Sequence, residues 1–94
     1  MNSSSPPSDG KLKAMILHKL AKKRKWGESH TALETTSKGV PSHLRGKMKE
    51  LTEELVRDGF ITPKPTGYGT HISLSVSRSE EIKAIIKEYL RIEL

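Results

Sequence analysis

Residues 31–59 carry the clearest signals of the fold, in the sequence TALETTSKGVPSHLRGKMKELTEELVRDG. This segment predicts a short helix, a break and a longer helix. Thr31 and Glu34 have the spacing of a capping box, in which each side chain bonds a free backbone N–H at a helix start. This pair predicts a short helix over about 32–37. Gly39 then suits the left-handed residue that commonly follows a helix end.

The longer helix is predicted at about 41–58. Pro41 suits its first position, where the missing N–H costs nothing, and the pair Asp58-Gly59 ends it. Its apolar residues recur at helical spacing, which places them on one buried face: Leu44, Met48, Leu51 and Leu55. A helix, a three-residue break and a longer helix form the pattern of a helix-turn-helix.

Another helix is predicted before this stretch, over residues 11–25, with the pair Trp26-Gly27 ending it. Its apolar residues again form one stripe: Leu12, Met15, Ile16 and Leu20. Residues 1–10 are rich in Ser, Pro and Gly, a composition that predicts a disordered tail. Because 94 residues leave no room for a second core, residues 11–94 are predicted to form a single domain.

Two strands and a last helix are predicted after residue 59. Residues 60–62 are a strand candidate, and residues 71–76 alternate with period two between a dry and a wet face. Prolines and glycines exclude a helix between them, so residues 63–71 are predicted as a projecting loop, or wing. Ser79 is expected to cap the last helix. The predicted fold is a mostly helical α+β domain in the order α-α-α-β-β-α, with a three-helix core, a two-stranded wing and a C-terminal helix.

The charges divide the chain into two unlike halves. Lys and Arg total 17 against 11 Asp and Glu, a net charge of +6. Residues 11–49 hold eleven basic and two acidic side chains, whereas residues 50–94 hold six basic and eight acidic ones. A basic half joined to a mildly acidic half predicts a surface for a polyanion, and the alternative is a solvated basic face with no partner.

Several classes of protein are excluded or disfavoured. The longest apolar run is four residues, far short of the about 20 that a membrane span needs. The start of the sequence lacks the pattern of a secretory signal, so a cytoplasmic location is expected. There are no cysteines, hence no disulfides or thiolate sites. The four histidines lack metal-site spacing, and no phosphate loop or nucleophile elbow is present. We expect no enzyme activity, no metal and no cofactor.

The element order resembles the winged helix-turn-helix fold, with the turn at 39–41 and the wing after residue 62. Three segments are similar, more narrowly, to a group of small archaeal winged-helix proteins: 25–31 (KWGESHT), 39–46 (GVPSHLRG) and 64–69 (KPTGYG). The resemblance implies a protein of the cytoplasm and nucleoid that binds double-stranded DNA and regulates transcription. The longer helix at 41–58 would enter the major groove, and the wing would lie on the backbone.

The candidate DNA-binding residues lie on the outer side of the longer helix and in the wing: Ser42, His43, Arg45, Gly46, Lys47, Lys49, Lys64, Tyr68 and His71. Basic residues occupy the first half of the longer helix and acidic residues most of its second half. Phosphates would therefore be attracted to the N-terminal half, where the helix dipole adds to the attraction.

Each candidate has an expected role. Arg45 suits base reading, because a guanidinium can bond both acceptors of a guanine edge. Lys47 and Lys49 suit phosphate contacts. Gly46 costs about 1 kcal/mol relative to Ala in a helix interior, which indicates either a close approach to a groove wall or packing against a neighbouring loop.

The remaining candidates have contact roles. Ser42 and His43 can donate to phosphate or base, and Lys64, Tyr68 and His71 are expected at the backbone or minor groove. The alternative for Tyr68 is a ring that pins the wing to the body.

Alternative partners remain open at this stage. A secondary basic patch, consisting of Lys22, Lys23, Arg24 and Lys25, would bind phosphate, mark an RNA contact, or be a solvated helix end. The last helix carries a surplus of apolar residues, which would suit a protein-docking module or a homodimer: Ile82, Ile85, Ile86, Tyr89, Leu90, Ile92 and Leu94.

Overall fold

The computed structural model describes residues 7–94. These residues form a mostly helical α+β domain with three α-helices, two 3₁₀-helices and one three-stranded antiparallel sheet. The elements, in chain order, are α1 (Asp9–Lys22), β1 (Thr31–Ala32), a first 3₁₀-helix (Leu33–Ser37), α2 (Ser42–Arg57), β2 (Ile61–Thr66), β3 (Gly69–Leu74), a second 3₁₀-helix (Val76–Arg78) and α3 (Ser79–Leu90). Within residues 7–94, no helix has the length and apolar character to cross a bilayer.

One hydrophobic core joins the helices to the sheet, and α1 packs against both α2 and α3. The sheet order is β1-β3-β2. The fully buried apolar side chains come from every major element: Leu12, Ala14, Ile16, Leu17, Leu20, Met48, Leu51, Leu55, Ile61, Ile72, Leu74, Ile82 and Ile86. The predicted stripes were wrong at Met15, which is 38% exposed, and at Leu44, which is only half-buried.

Helix α1 starts inside the predicted tail. Residues 1–6 lie outside the described residues, but Asp9 and Gly10 are already helical. The Ser8 hydroxyl accepts a hydrogen bond from the Lys11 N–H at 3.1 Å, which caps the helix. Gly10 packs under the ring of Tyr89, so closely that a Cβ there would lie 2.6 Å from Cζ. This long-range contact with α3 extends the helix beyond its predicted start.

Helix α1 also ends three residues before its predicted end at Lys25. The Lys25 N–H donates to the Leu20 carbonyl at 2.9 Å and the Arg24 N–H to the Ala21 carbonyl at 2.9 Å, the bonds of a Schellman cap. Arg24 takes the left-handed position with φ of 58°. After this turn, the Leu74 N–H donates to the Lys25 carbonyl at 2.7 Å, and this hydrogen bond joins the chain after α1 to strand β3.

The predicted second α-helix is instead a two-residue strand and a 3₁₀-helix. Thr31 pairs with Ile72 of β3, so its backbone belongs to the sheet. The predicted capping box is therefore not formed, and no side chain caps the 3₁₀-helix. The Thr31 hydroxyl lies 3.0 Å from the Thr35 hydroxyl instead. Pairing with a strand 40 residues away overrides the local capping signal.

The longer predicted helix, α2, is present with small changes at its ends. Pro41 is the residue before the first helical turn, one position earlier than predicted. Gly59 has φ of +86°, and the Phe60 N–H donates to the Leu55 carbonyl at 3.0 Å. These features form a Schellman cap and confirm the predicted end at Asp58-Gly59.

The predicted wing loop is mostly strand. Strands β2 and β3 continue to Thr66 and from Gly69, so only two residues, Gly67 and Tyr68, connect them. Because β2 is at the edge of the sheet, Pro63 and Pro65 can direct their imide nitrogens away from β3 without losing a ladder hydrogen bond. The prolines and glycines correctly excluded a helix here, but the prediction of a loop was wrong because an edge strand also accommodates proline.

Strand β3 and helix α3 also differ from their predictions. The period-two pattern placed Ser73 on the wet face of β3, yet Ser73 is fully buried and its hydroxyl has no hydrogen-bond partner among residues 7–94. Val76 leaves the strand for the second 3₁₀-helix. Helix α3 begins at Ser79 without a side-chain cap. The helix ends at Leu90, so Ile92 and Leu94 lie beyond it. Most of the seven apolar residues predicted for the last helix are in or against the core, and only Tyr89 and Leu94 of that set are substantially exposed.

Candidate nucleic-acid interface

The N-terminal half of α2 presents an exposed basic surface. We define the α2 outer face as Ser42, His43, Arg45, Gly46 and Lys49, all of which are exposed. The first turn of this helix contains no acidic residue. Unpaired backbone N–H groups and the helix dipole place partial positive charge at the same end, so side chains and backbone both favour an anion there.

Two cations of the α2 outer face carry no internal neutralising partner. Among residues 7–94, no carboxylate lies within 4.0 Å of the side-chain nitrogens of Arg45 or Lys49. The Arg45 Nε donates to the Val40 carbonyl at 3.4 Å, a long bond on the exposed surface. The guanidinium therefore keeps most of its donors available, and it lies beside the turn that precedes the helix.

A groove separates α2 from the first 3₁₀-helix. Its volume is about 380 Å³ and it is lined by Leu33, Glu34, Thr36, Ser37, Arg45, Gly46 and Lys49. The Thr36 hydroxyl donates to the Leu33 carbonyl at 3.0 Å and the Ser37 hydroxyl to the Glu34 carbonyl at 3.2 Å. These hydroxyls are used in the 3₁₀-helix itself, so the available charged donors of the groove are those of Arg45 and Lys49.

Gly46 is not required by packing within the described part of the chain. A Cβ built on this residue meets no heavy atom within 4 Å. The sequence alternative in which Gly46 packs against a neighbouring loop is therefore wrong. The glycine leaves α2 with bare backbone at the groove.

Lys47 differs from Arg45 and Lys49 although all three were predicted together. Its Nζ lies 3.4 Å from an Asp9 carboxylate oxygen and 3.5 Å from a Glu50 oxygen. The hydrogen bond and charge of Asp9, followed by those of Glu50, raise the pKa of Lys47. The contact with Asp9 directs Lys47 toward the start of α1, away from the groove.

The β2–β3 turn projects an aromatic residue into solvent. The Tyr68 side chain is 100% exposed, so the alternative in which its ring pins the turn to the body is wrong. The turn itself is ordered by hydrogen bonds: the Thr66 hydroxyl donates to the Gly69 carbonyl at 2.7 Å and accepts from the Tyr68 N–H at 3.1 Å. Tyr68 is thus presented on a hydrogen-bonded support.

The other two predicted wing residues have internal partners. Lys64 lies 3.5 Å from a Glu28 carboxylate oxygen. His71, its cross-strand neighbour, has its Nδ1 at 2.8 Å from Nδ1 of His30, and the two rings meet edge to face. One Nδ1–H must donate to the other, unprotonated Nδ1. His30 was not predicted to contact the wing, because its partner lies 41 residues further along the chain.

The secondary basic patch lies at the end of α1 and in its cap. Lys22, Lys23 and Arg24 are exposed and Lys25 is half-buried. Among residues 7–94, no carboxylate lies within 4.0 Å of any of the four. The patch is a second concentration of unneutralised positive charge, and its shape follows from the left-handed turn at Arg24.

Lys19 is a cation with a structural contact that sequence reasoning missed. Its Nζ donates to the Lys38 carbonyl at 2.6 Å and to the Thr35 carbonyl at 3.3 Å. Burial, then repulsion from Lys23 and Lys22, lowers the pKa of Lys19. The side chain holds the end of the first 3₁₀-helix against α1 and so helps to set the turn before α2. A lysine at the edge of an apolar stripe was the only sequence signal.

Potential metal ligands do not converge in the described part of the chain, where no group of three or more His, Asp or Glu side chains comes together. The described residues instead present three features: the basic α2 outer face, on which Arg45 and Lys49 have no carboxylate within 4.0 Å, the groove beside it, and the projecting Tyr68.

A scan against protein-family models, a search of curated proteins and a search of solved structures each found no match to this chain.

Proposed function

We propose that this protein binds double-stranded DNA through a winged helix-turn-helix. In this proposal the first 3₁₀-helix and α2 form the helix-turn-helix, and the β2–β3 hairpin is the wing. The element order and the β1-β3-β2 sheet are compatible with that arrangement. Regulation of transcription at the nucleoid, in a protein similar to small archaeal winged-helix proteins, is the use that the sequence resemblance favours.

The observation that carries the proposal is the unneutralised charge on the α2 outer face. Arg45 and Lys49 lack an acidic partner within 4.0 Å among residues 7–94, while acids gather toward the C-terminal half of α2. A duplex approached by the N-terminal half of α2 gains these cations and avoids the acids. A recognition helix that enters the major groove by its N-terminal residues requires such an asymmetry.

Each residue of the face then has a contact suited to its chemistry. Arg45 reads a guanine edge, because its guanidinium offers two parallel donors. Lys49, Ser42 and His43 contact phosphates, which fix register without reading sequence. Tyr68 meets the sugar–phosphate backbone or the adjacent minor groove. Lys47, Lys64 and His71 contribute less, because their polar groups already have partners within the protein.

The test is the salt dependence of binding to a fluorescently labelled generic DNA duplex. Four to six phosphate contacts give a log–log slope of roughly −4 to −5 between 50 and 200 mM salt. Lys49→Ala is expected to weaken binding and reduce the slope by about 1. Lys83→Ala, which removes the same charge from α3, is the matched control and is expected to leave the slope unchanged. A wild-type slope near zero would reject the proposal.

RNA binding is a second candidate, supported by the unneutralised secondary basic patch. Four clustered cations at a helix end suit backbone contacts that ignore base sequence. Competition between a DNA duplex, an RNA duplex and single strands separates the two functions. If RNA competes best, and neutralising Lys22 and Lys23 abolishes that advantage, the patch rather than α2 is the main binding surface.

A further inference from the structure

Gly46 makes α2 less stable, and no contact within residues 7–94 compensates for this loss. It lies in the interior of α2, where glycine is less favourable than alanine. Its φ is not in the left-handed region, and a Cβ would meet no atom within 4 Å. Neither backbone conformation nor internal packing therefore requires glycine here.

The position of Gly46 relative to its neighbours indicates what the missing side chain leaves open. Gly46 lines the groove between α2 and the first 3₁₀-helix, with Arg45 and Lys49 on the same lining. The opposite wall consists of Leu33, Glu34, Thr36 and Ser37. A carboxylate on that wall disfavours a phosphate inside the groove, while Leu33 suits an apolar or weakly polar group.

We propose that Gly46 is the position at which the α2 backbone makes its closest approach to the base edges of bound DNA. The absent side chain lets a base edge reach the groove, while Arg45 bonds a neighbouring base and Lys49 holds the phosphate backbone. A larger side chain at residue 46 moves α2 outward and lengthens the contacts of both cations. This inference rests on the proposed DNA-binding function.

The experiment uses the full chain and the substitutions Gly46→Ala and Gly46→Leu. Both introduce good helix formers, so helix propensity improves and does not confound the result. The control is Ala84→Leu, which adds bulk at an exposed position of α3. Thermal melting and affinity for a duplex that the wild-type protein binds are measured for each variant.

Stability and affinity are expected to change in opposite directions. The melting temperature of Gly46→Ala rises by roughly 4 °C or more, because an unfavourable helical residue is removed from a small domain. Duplex affinity falls about threefold for Gly46→Ala and about tenfold for Gly46→Leu, while Ala84→Leu stays within about twofold of the wild type.

Each contrary outcome has a distinct meaning. If Gly46→Leu binds the duplex as tightly as the wild type while Lys49→Ala weakens binding, DNA binding stands and the role of Gly46 is wrong. If Gly46→Ala lowers the melting temperature, glycine is needed inside the fold and the inference loses its premise. If the wild-type protein shows no salt-sensitive duplex binding, the proposed function itself fails.

Discussion

Helices α2 and α3 both carry exposed lysine and arginine residues, but they use them differently. On α3 and just before it, three cations have acidic partners: Lys83 with Glu80 at 4.0 Å, Lys87 with Glu93 at 2.8 Å, and Arg78 with Glu81 at 3.3 Å. Arg91, which follows α3, has no carboxylate within 4.0 Å among residues 7–94. On the α2 outer face, Arg45 and Lys49 have no such partner within 4.0 Å among residues 7–94.

The pairing of charges, more than their number, therefore distinguishes a candidate binding face from a solvated one. Exposed ion pairs contribute little to stability, but they leave little net charge to attract a polyanion. Helix α3 therefore provides control substitutions that match those on α2 in secondary structure and exposure, as in the charge-reversal experiment described next.

Charge reversal is expected to give the largest difference in duplex affinity between substitutions on α2 and substitutions on α3. The double substitution Arg45→Glu and Lys49→Glu should weaken duplex binding on the order of 100-fold at low salt, because two attractions become repulsions. Lys83→Glu and Lys87→Glu change the net charge by the same amount on α3. Fluorescence anisotropy should show less than about a fivefold effect for that control, and equal losses would mean that only the net charge matters.

Removing Arg45 alone should affect sequence preference more than general affinity. Arg45→Ala is expected to cost about 1 to 3 kcal/mol at a preferred site and to relax base preference at one position. Lys49→Ala should instead weaken all duplexes alike. Selection of bound sequences from a randomised duplex pool, followed by affinity measurement, compares the two variants. An unchanged preference in Arg45→Ala would assign base reading to another residue.

A substitution of Lys19 tests whether this cation supports the turn before α2, in contrast to the ion-paired cations of α3 and the cations of the α2 outer face. Lys19→Met removes the hydrogen bonds to the Lys38 and Thr35 carbonyls and should destabilise the fold by about 1 kcal/mol. Because the pKa of Lys19 is lowered in the folded protein from 10.5, the unfolded chain binds more protons just below that value. The free energy of unfolding should therefore rise as the pH increases from the lowered pKa of the folded protein toward 10.5.

Urea unfolding at a series of alkaline pH values gives the free energy of unfolding of the wild-type protein and of Lys19→Met. The difference between the two proteins at each pH isolates the increment in stability that is due to Lys19. The increment is expected in the wild type and not in the variant. Parallel pH profiles for the two proteins would contradict the assignment of the lowered pKa to Lys19.

Lys47 should give the smallest effect, because it is on α2 but already has acidic partners. Lys47→Ala is expected to change duplex affinity by about twofold or less, below the effect of Lys49→Ala. Asp9→Asn removes one partner of Lys47 and should strengthen binding slightly. Titrations at 50 mM salt compare the three variants; a Lys47→Ala loss equal to that of Lys49→Ala would show that the ion pairs do not withhold this lysine from DNA.

Much of the helical framework was predictable, because helical periodicity and end signals are local. The spacing of Met48, Leu51 and Leu55 predicted the buried face of α2, and these residues are buried. Asp58-Gly59 predicted its end correctly. The segment at 32–37 was misassigned as α-helix, because the backbone of Thr31 and Ala32 pairs with β3, a contact that no local pattern contains.

The candidate site was predictable in its exposed helical part and less so elsewhere. The same spacing that buries Leu51 places Gly46 and Lys49 on the opposite side of α2, and both are exposed. The Asp9 partner of Lys47 and the partners of Lys64 and His71 were not predictable, since they come from residues 9, 28 and 30, distant in sequence. The full exposure of Tyr68 was also undecided, because a turn residue can pack or project with the same sequence.

The amino-acid pattern alone is enough to locate the main helices, to assign their buried faces and to show that positive charge is concentrated before residue 50. The folded arrangement is needed to see that Arg45 and Lys49 have no carboxylate within 4.0 Å in the described chain, that Lys47 pairs with Asp9, and that Gly46 lines an open groove. Helix periodicity acts over one or two turns, whereas charge neutralisation and burial depend on side chains that approach only after the chain has folded.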